Sequence, residues 1–262
     1  MSTSEVVRAR LPEPVTAFLA VLAVTLVPFY LLGSNEGSSR VLGLAPSALM
    51  FVCPAVAALV VTAGRGGAPA AVTWAGRVLR LPRRGSRIWL VGAVTTMPAV
   101  FLVAGILHEG DSAWLTTVSP AGIGLYSALF LVTGLAEQLG WTGYARPRLL
   151  RRWSWPQGAI LLGLCWAAIH VVPWAQTGHD MYWIAGQSLF TVGLRTVMDF
   201  YVERLGADVL TSTVCQASSN VAWMSLLDAT GAYDPVVTGG VATAVAALLV
   251  GIDRGRPGRR GS

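Results

Sequence analysis

The sequence contains no lysine: all 19 of its basic residues are arginine. Charge of either sign is scarce, at 12% of 262 residues, against about 25% in a water-soluble domain. That shortage, with 54% hydrophobic residues and a mean hydropathy of +0.59, excludes an ordinary soluble domain and points to a polytopic membrane protein. Cysteine is nearly absent too. Cys53, Cys165 and Cys215 each sit inside an apolar run, with no C-x-x-C or histidine-rich spacing, so they read as buried small hydrophobes. No recognised nucleic-acid motif accompanies the arginines, which fall in short connections between apolar runs, and a nucleic-acid partner is excluded. There is no internal repeat and no low-complexity segment, so residues 1–262 form one domain.

What the sequence has in abundance is apolar runs. A stretch of about 20 apolar residues crosses the hydrocarbon core as a helix. Eight such runs are present, at 15–33, 43–63, 88–107, 121–145, 156–174, 182–203, 206–227 and 235–252. The expected fold is an all-α integral membrane bundle of about eight transmembrane helices. Arginines fill alternate connections: Arg8 and Arg10 before the first run, Arg65 to Arg87 after the second, Arg146 to Arg152 after the fourth. Arg204 follows the sixth, and Arg254 to Arg260 follow the last. Only Arg40 falls on the opposite side. This alternation is the positive-inside pattern, and it predicts a multi-pass protein of the cell membrane with both termini cytoplasmic, in tails 1–14 and 253–262. Residues 70–81 place Ala71, Trp74, Val78 and Leu81 on one helical face, which suits either a short helix on the cytoplasmic surface or a solvated loop.

Polar groups in the middle of a span are costly, and they usually face a bundle interior or a watery cavity. Few occur here: Glu137 and Gln138 on the fourth run, His170 on the fifth, Arg195 and Asp199 on the sixth, Gln216 and Asn220 on the seventh. At about 1.5 Å per residue, Gln216, Asn220 and His170 lie roughly 15, 21 and 21 Å from the cytoplasmic end of their helices. Glu137 reaches that level only if the fourth helix continues to about residue 150. Gln216 and Asn220 share one helical face, as do Gln138 and Thr142. Gly134, Gly140 and Gly143 permit close helix approach around the carboxylate. Arg195 and Asp199, one turn apart, read as a self-contained ion pair near the cytoplasmic end.

The stretch EQLGWTGYARPRL, the His of WAAIHVVP 33 residues after its Glu, and the later QASSN resemble the CPBP (CAAX-processing and bacteriocin-processing) intramembrane proteases. That group holds the type II prenyl-protein endopeptidases, and its pattern is EExxxR, FxxxH and HxxxN on an eight-helix core. The likeness spans about residues 40–230. It implies that Glu137, His170 and Asn220 stand at the motif glutamate, histidine and asparagine. Three positions depart: Gln138 replaces the second glutamate, Thr142 the arginine and Gln216 the third-motif histidine. Trp166 stands in place of the phenylalanine.

The resemblance implies an intramembrane endopeptidase in which Glu137 and His170 activate water and Asn220 with Gln216 hold the oxyanion, supported by Gln138 and Thr142. The expected partners are a membrane-associated peptide or protein substrate and the lipid bilayer. No cofactor is expected. Catalytic zinc wants three His, Cys or carboxylate ligands, and this set offers Glu137, His170 and two poor amides, so no metal is expected either. The three departures leave a second possibility: an inactive relative that binds a membrane-anchored peptide or lipidated partner without cutting it.

Overall fold

The computed structural model describes residues 14–33, 46–79, 87–206 and 208–254; most of the two tails, Arg40, Arg80, Arg83, Arg84 and Leu81 lie outside them. The described residues are nearly all helical, with no strand among them. Eight long helices occur in order: α1 (Pro14–Gly33), α2 (Cys53–Val78), α3 (Arg87–Glu109), α4 (Pro120–Gly140), α5 (Trp155–Gln176), α6 (Met181–Leu205), α7 (Asp208–Thr230) and α8 (Pro235–Arg254). Six of them, all but α6 and α7, are long and apolar enough to cross a membrane.

Local chemistry places the helix starts. Ser119 accepts from the Gly122 N–H at 3.1 Å and Pro120 opens α4, where its missing N–H costs nothing. Asp180 caps α6 through the Trp183 N–H at 2.8 Å, and Asp234 caps α8 through the Val236 N–H at 2.8 Å. Gly206, left-handed at φ 63°, ends α6 and lets the chain reverse into α7 within three residues.

Two helices depart from regular geometry. Helix α2 breaks at Gly66 and Gly67, the latter at φ 75°, so the predicted span ends near Arg65 and a second, short helix succeeds it. Residues 70–78 are therefore helical. Their apolar face turns inward: Ala71 is buried and Trp74 donates from Nε1 to the Gly143 carbonyl at 3.3 Å. Helix α4 does not stop at Gly140. It runs through a π-helical turn, Trp141–Ala145, and a last turn, Arg146–Leu149. The extension that the depth arithmetic demands is therefore present. Trp141 and Tyr144 of the π turn are buried against Phe18 of α1, with ring centroids 5.7 and 5.4 Å away.

Helix α6 runs through the interior. Every residue from Gly193 to Val202 is buried, enclosed mainly by α5 and α8. Close approach depends on small residues: a Cβ on Gly239 of α8 would lie 2.7 Å from the Gly186 carbonyl oxygen of α6. This enclosure explains how α6 carries Arg195 and Asp199, since neither meets lipid. Helix α4 packs along α7 and α2, whereas α5 packs along α6. At one end of the bundle Arg204 joins Asp253 at 2.8 Å and Trp155 donates to Asp253 at 2.7 Å. Arg146 there meets Glu203 and Asp208, and Arg65 and Arg151 lie within electrostatic reach of Arg148. The arginine-bearing connections after α2, α4 and α6 thus share an end with the close of α8.

Candidate active site

Glu137 projects from α4 toward α5. Its carboxylate accepts a hydrogen bond from the Trp166 indole N–H at 2.9 Å, across the seam between the two helices. Gln216 lies beside Glu137 on the facing side of α7. Gly134, one turn before Glu137, faces the same part of α7: a Cβ there would make ordinary contact with Gln216 Oε1 at 3.5 Å and the Thr213 carbonyl at 3.6 Å. Gly140 similarly lies against the Pro54 backbone at the start of α2.

His170 occupies the face of α5 that carries Trp166, one turn on, with ring centroids 6.3 Å apart. Its Nδ1 lies 2.8 Å from the Trp166 carbonyl oxygen. A carbonyl can only accept, so Nδ1 carries the hydrogen, and in the neutral ring Nε2 is left with its lone pair. Trp174 stacks on the ring at 5.4 Å and holds its plane. Nε2 has no hydrogen-bond partner among the described residues, and no hydrogen bond joins Glu137 directly to His170. Asn220, one turn beyond Gln216 on α7, also has no hydrogen-bond partner among them. Glu137, His170 and Asn220 are all half-buried, unlike the polar groups beneath them.

Below the carboxylate lies a closed polar layer. Gln138 and Thr142 have no exposed surface, and Gln216 is 2% exposed. Thr142 donates to Gln138 Oε1 at 2.6 Å, with Ser212 Oγ 3.1 Å from its hydroxyl, and Gln138 donates from Nε2 to Gln216 Oε1 at 2.7 Å. The three positions that depart from the motifs are therefore in one hydrogen-bonded group. Arg195 joins it, donating from Nη1 to Gln138 Oε1 and to Thr142 Oγ1, both at 2.9 Å.

This corrects one expectation. Arg195 and Asp199 do pair through Nη2 and Oδ1, but the pair is neither self-contained nor peripheral. Both residues have no exposed surface, Arg146 Nε lies 3.3 Å from Asp199 Oδ2, and the Arg195 guanidinium reaches the site residues of α4. Helical spacing identifies the partner one turn away and says nothing of partners on other helices. Two further participants escaped sequence reasoning for the same reason: Ser212, and the Trp166 indole N–H, which looked like a simple aromatic replacement.

Among the described residues no three His, Cys, Asp or Glu side chains come together as a metal site. The geometry is that of a carboxylate, an imidazole with a free Nε2 and two amides, around a partly open seam in an apolar bundle.

Residues 117–222, from just before α4 into α7, match the family model described as type II CAAX prenyl endopeptidase Rce1-like. That match supports placing this region with the CPBP family. No curated protein matches it significantly. The Rce1-like region contains every residue of the seam, from Glu137 to Asn220, together with the arginine-bearing interior helix. This multi-pass chain, helical in nearly all of its described residues, has the apolar helices that a membrane-embedded endopeptidase of that description needs.

Proposed function

We propose that the chain is an intramembrane endopeptidase that cuts a membrane-associated peptide or protein by water activation at Glu137. The observation that carries this reading is the Glu137 carboxylate, held by the Trp166 N–H beside Gln216, on the seam it shares with an imidazole whose Nε2 is free. Glu137 takes a proton from water as the water oxygen attacks the scissile carbonyl carbon. His170 Nε2 accepts the other water hydrogen and so aims the oxygen lone pair. The amide N–H groups of Asn220 and Gln216 donate to the tetrahedral oxyanion. As the C–N bond breaks, the proton on Glu137 passes to the leaving nitrogen, and the carboxylate is restored.

All eight long helices cross the membrane in this reading, α6 and α7 shielded by the other six. Both termini face the cytoplasm, because the arginine-bearing connections gather at the end where α8 closes. The protein resides in the cell membrane, and no cofactor or metal takes part.

Purified protein in lipid nanodiscs, incubated with a peptide library and read by mass spectrometry, tests the reaction. New peptide termini from the wild type, absent with Glu137→Gln, are the expected result; equal turnover by both proteins removes the mechanism. A second reading has its own support, since Gln138, Thr142 and Gln216 are uncharged where the motifs carry two charged residues and a titratable one. It is a relative that binds a membrane-anchored peptide or lipidated partner in the same seam without cutting it. Retained peptide binding with no Glu137-dependent product selects that reading.

A further inference from the structure

We infer that Arg195 is a positioning residue: from the interior helix α6 it orients two glutamine amides in series, so that Gln216 presents N–H groups to Glu137 and the oxyanion. The inference rests on the proposed role of Glu137 and Gln216 and extends it to a group remote from both the carboxylate and the substrate.

Donor and acceptor chemistry fixes each amide in turn. A guanidinium has five N–H donors and no acceptor. Whatever Gln138 turns toward Arg195 must therefore be its carbonyl oxygen, and Oε1 stands 2.9 Å from Nη1. The same Nη1 donates to the Thr142 hydroxyl oxygen at 2.9 Å, which directs the Thr142 hydrogen onto Gln138 Oε1 at 2.6 Å. With its oxygen held from two sides, Gln138 has only its NH2 group to offer α7, and it donates to Gln216 Oε1 at 2.7 Å. Gln216 then has its oxygen engaged, and its NH2 is the end left free to donate on the Glu137 side.

A glutamine side chain has nearly the same shape after its amide is rotated by half a turn, so packing alone discriminates poorly between the two orientations. Reversed, Gln216 would turn a carbonyl oxygen toward a carboxylate and an oxyanion, and the site would repel the charge it is meant to hold. Arg195 supplies the asymmetry. It is free to do so because Asp199 has a second cation, Arg146, at 3.3 Å. Arg195 is also completely enclosed, so water offers its Nη1 no competing acceptor. The cation reaches Thr142 from another helix, at the position where the resembled motif has its own arginine.

Arg195→Gln alone leaves Asp199 with one cation and risks misfolding, so the informative variant is the charge-balanced pair Arg195→Gln/Asp199→Asn. Losing a single oxyanion donor lowers kcat by about 10²–10³-fold. The expected result is a fall in kcat of about 10²-fold at unchanged KM, with less than about 3-fold further loss when Gln216→Met is added, because both changes remove the same donor. Arg195→Lys, which keeps a cationic donor, is expected to retain kcat within about tenfold. Equal and independent losses from the balanced pair and from Gln216→Met overturn the relay.

A second readout needs no turnover. The chain has five glutamines, so selective 15N labelling resolves their side-chain amides, and Gln216→Met assigns one of them. The Gln216 NH2 resonance is expected to shift in the balanced pair. An unchanged resonance overturns the relay whether or not the protein cuts peptides, whereas unchanged turnover in Glu137→Gln overturns the proteolytic reading and leaves the amide relay standing.

Discussion

Trp166 carries a donor that a phenylalanine in its place would lack. Its N–H bonds the Glu137 carboxylate directly, so Trp166→Phe keeps the ring on α5 and removes one hydrogen bond to a charged group. Such bonds contribute about 1.5–3 kcal/mol, so kcat/KM is expected to fall about 10- to 100-fold, with the melting temperature lowered as well. Peptide-cleavage kinetics beside a melting curve check this; full activity in Trp166→Phe would show that the indole only fills space. The spacing of Gln138, Thr142, Gln216 and Asn220 was readable because each pair lies on one helix, four residues apart. The bonds between Gln138 and Gln216, 78 residues apart, depend on how two helices meet, and no local rule contains that.

Among the elements, α4 has the most unusual course. Its apolar run ends in a cluster of arginines, yet the helix persists through the π turn to Leu149 because Trp141 and Tyr144 are buried against Phe18. π turns inside α-helices are frequent at functional sites. Here the turn lies one residue beyond Gly140, where α4 touches the start of α2. A Cβ at Gly140 would stand 2.3 Å from the Pro54 carbonyl oxygen, whereas one at Gly124 of the same helix meets nothing within 4 Å. Gly140→Ala should therefore lower stability by about 1–3 kcal/mol through overpacking. Gly124→Ala should leave it unchanged or raise it by up to about 1 kcal/mol through helix propensity. Thermal unfolding of both variants in one detergent compares them directly, and equal melting temperatures would show that the α4–α2 contact tolerates a methyl group.

On the scale of the whole molecule, the bundle separates lipid-facing apolar helices from an enclosed polar interior. Arg195, Asp199, Gln138 and Thr142 have no exposed surface at all, which is how a chain of this hydropathy accommodates them. The proposed orientation has a direct check. Epitope tags at the two termini should both be digested by protease in inside-out vesicles and both protected in sealed right-side-out cells. A tag digested from outside would reverse the topology and place the arginine-rich end of the bundle on the outer face.

The helical fold, the positions of the apolar runs and the need for α4 to continue past its arginines come from the sequence by itself, because hydrophobic length and charge placement are properties of single segments. The polar residues that a span would not tolerate were visible for the same reason. Only the tertiary structure decided their partners: that Arg195 divides its donors between Asp199 and the α4 residues, that Trp166 is a hydrogen-bond donor, and that the helix of 70–78 turns its apolar face inward. Each of these is a contact between helices brought together by packing. A guanidinium or an indole N–H binds whichever acceptor packing places within about 3 Å, and the order of residues along one helix does not encode that distance.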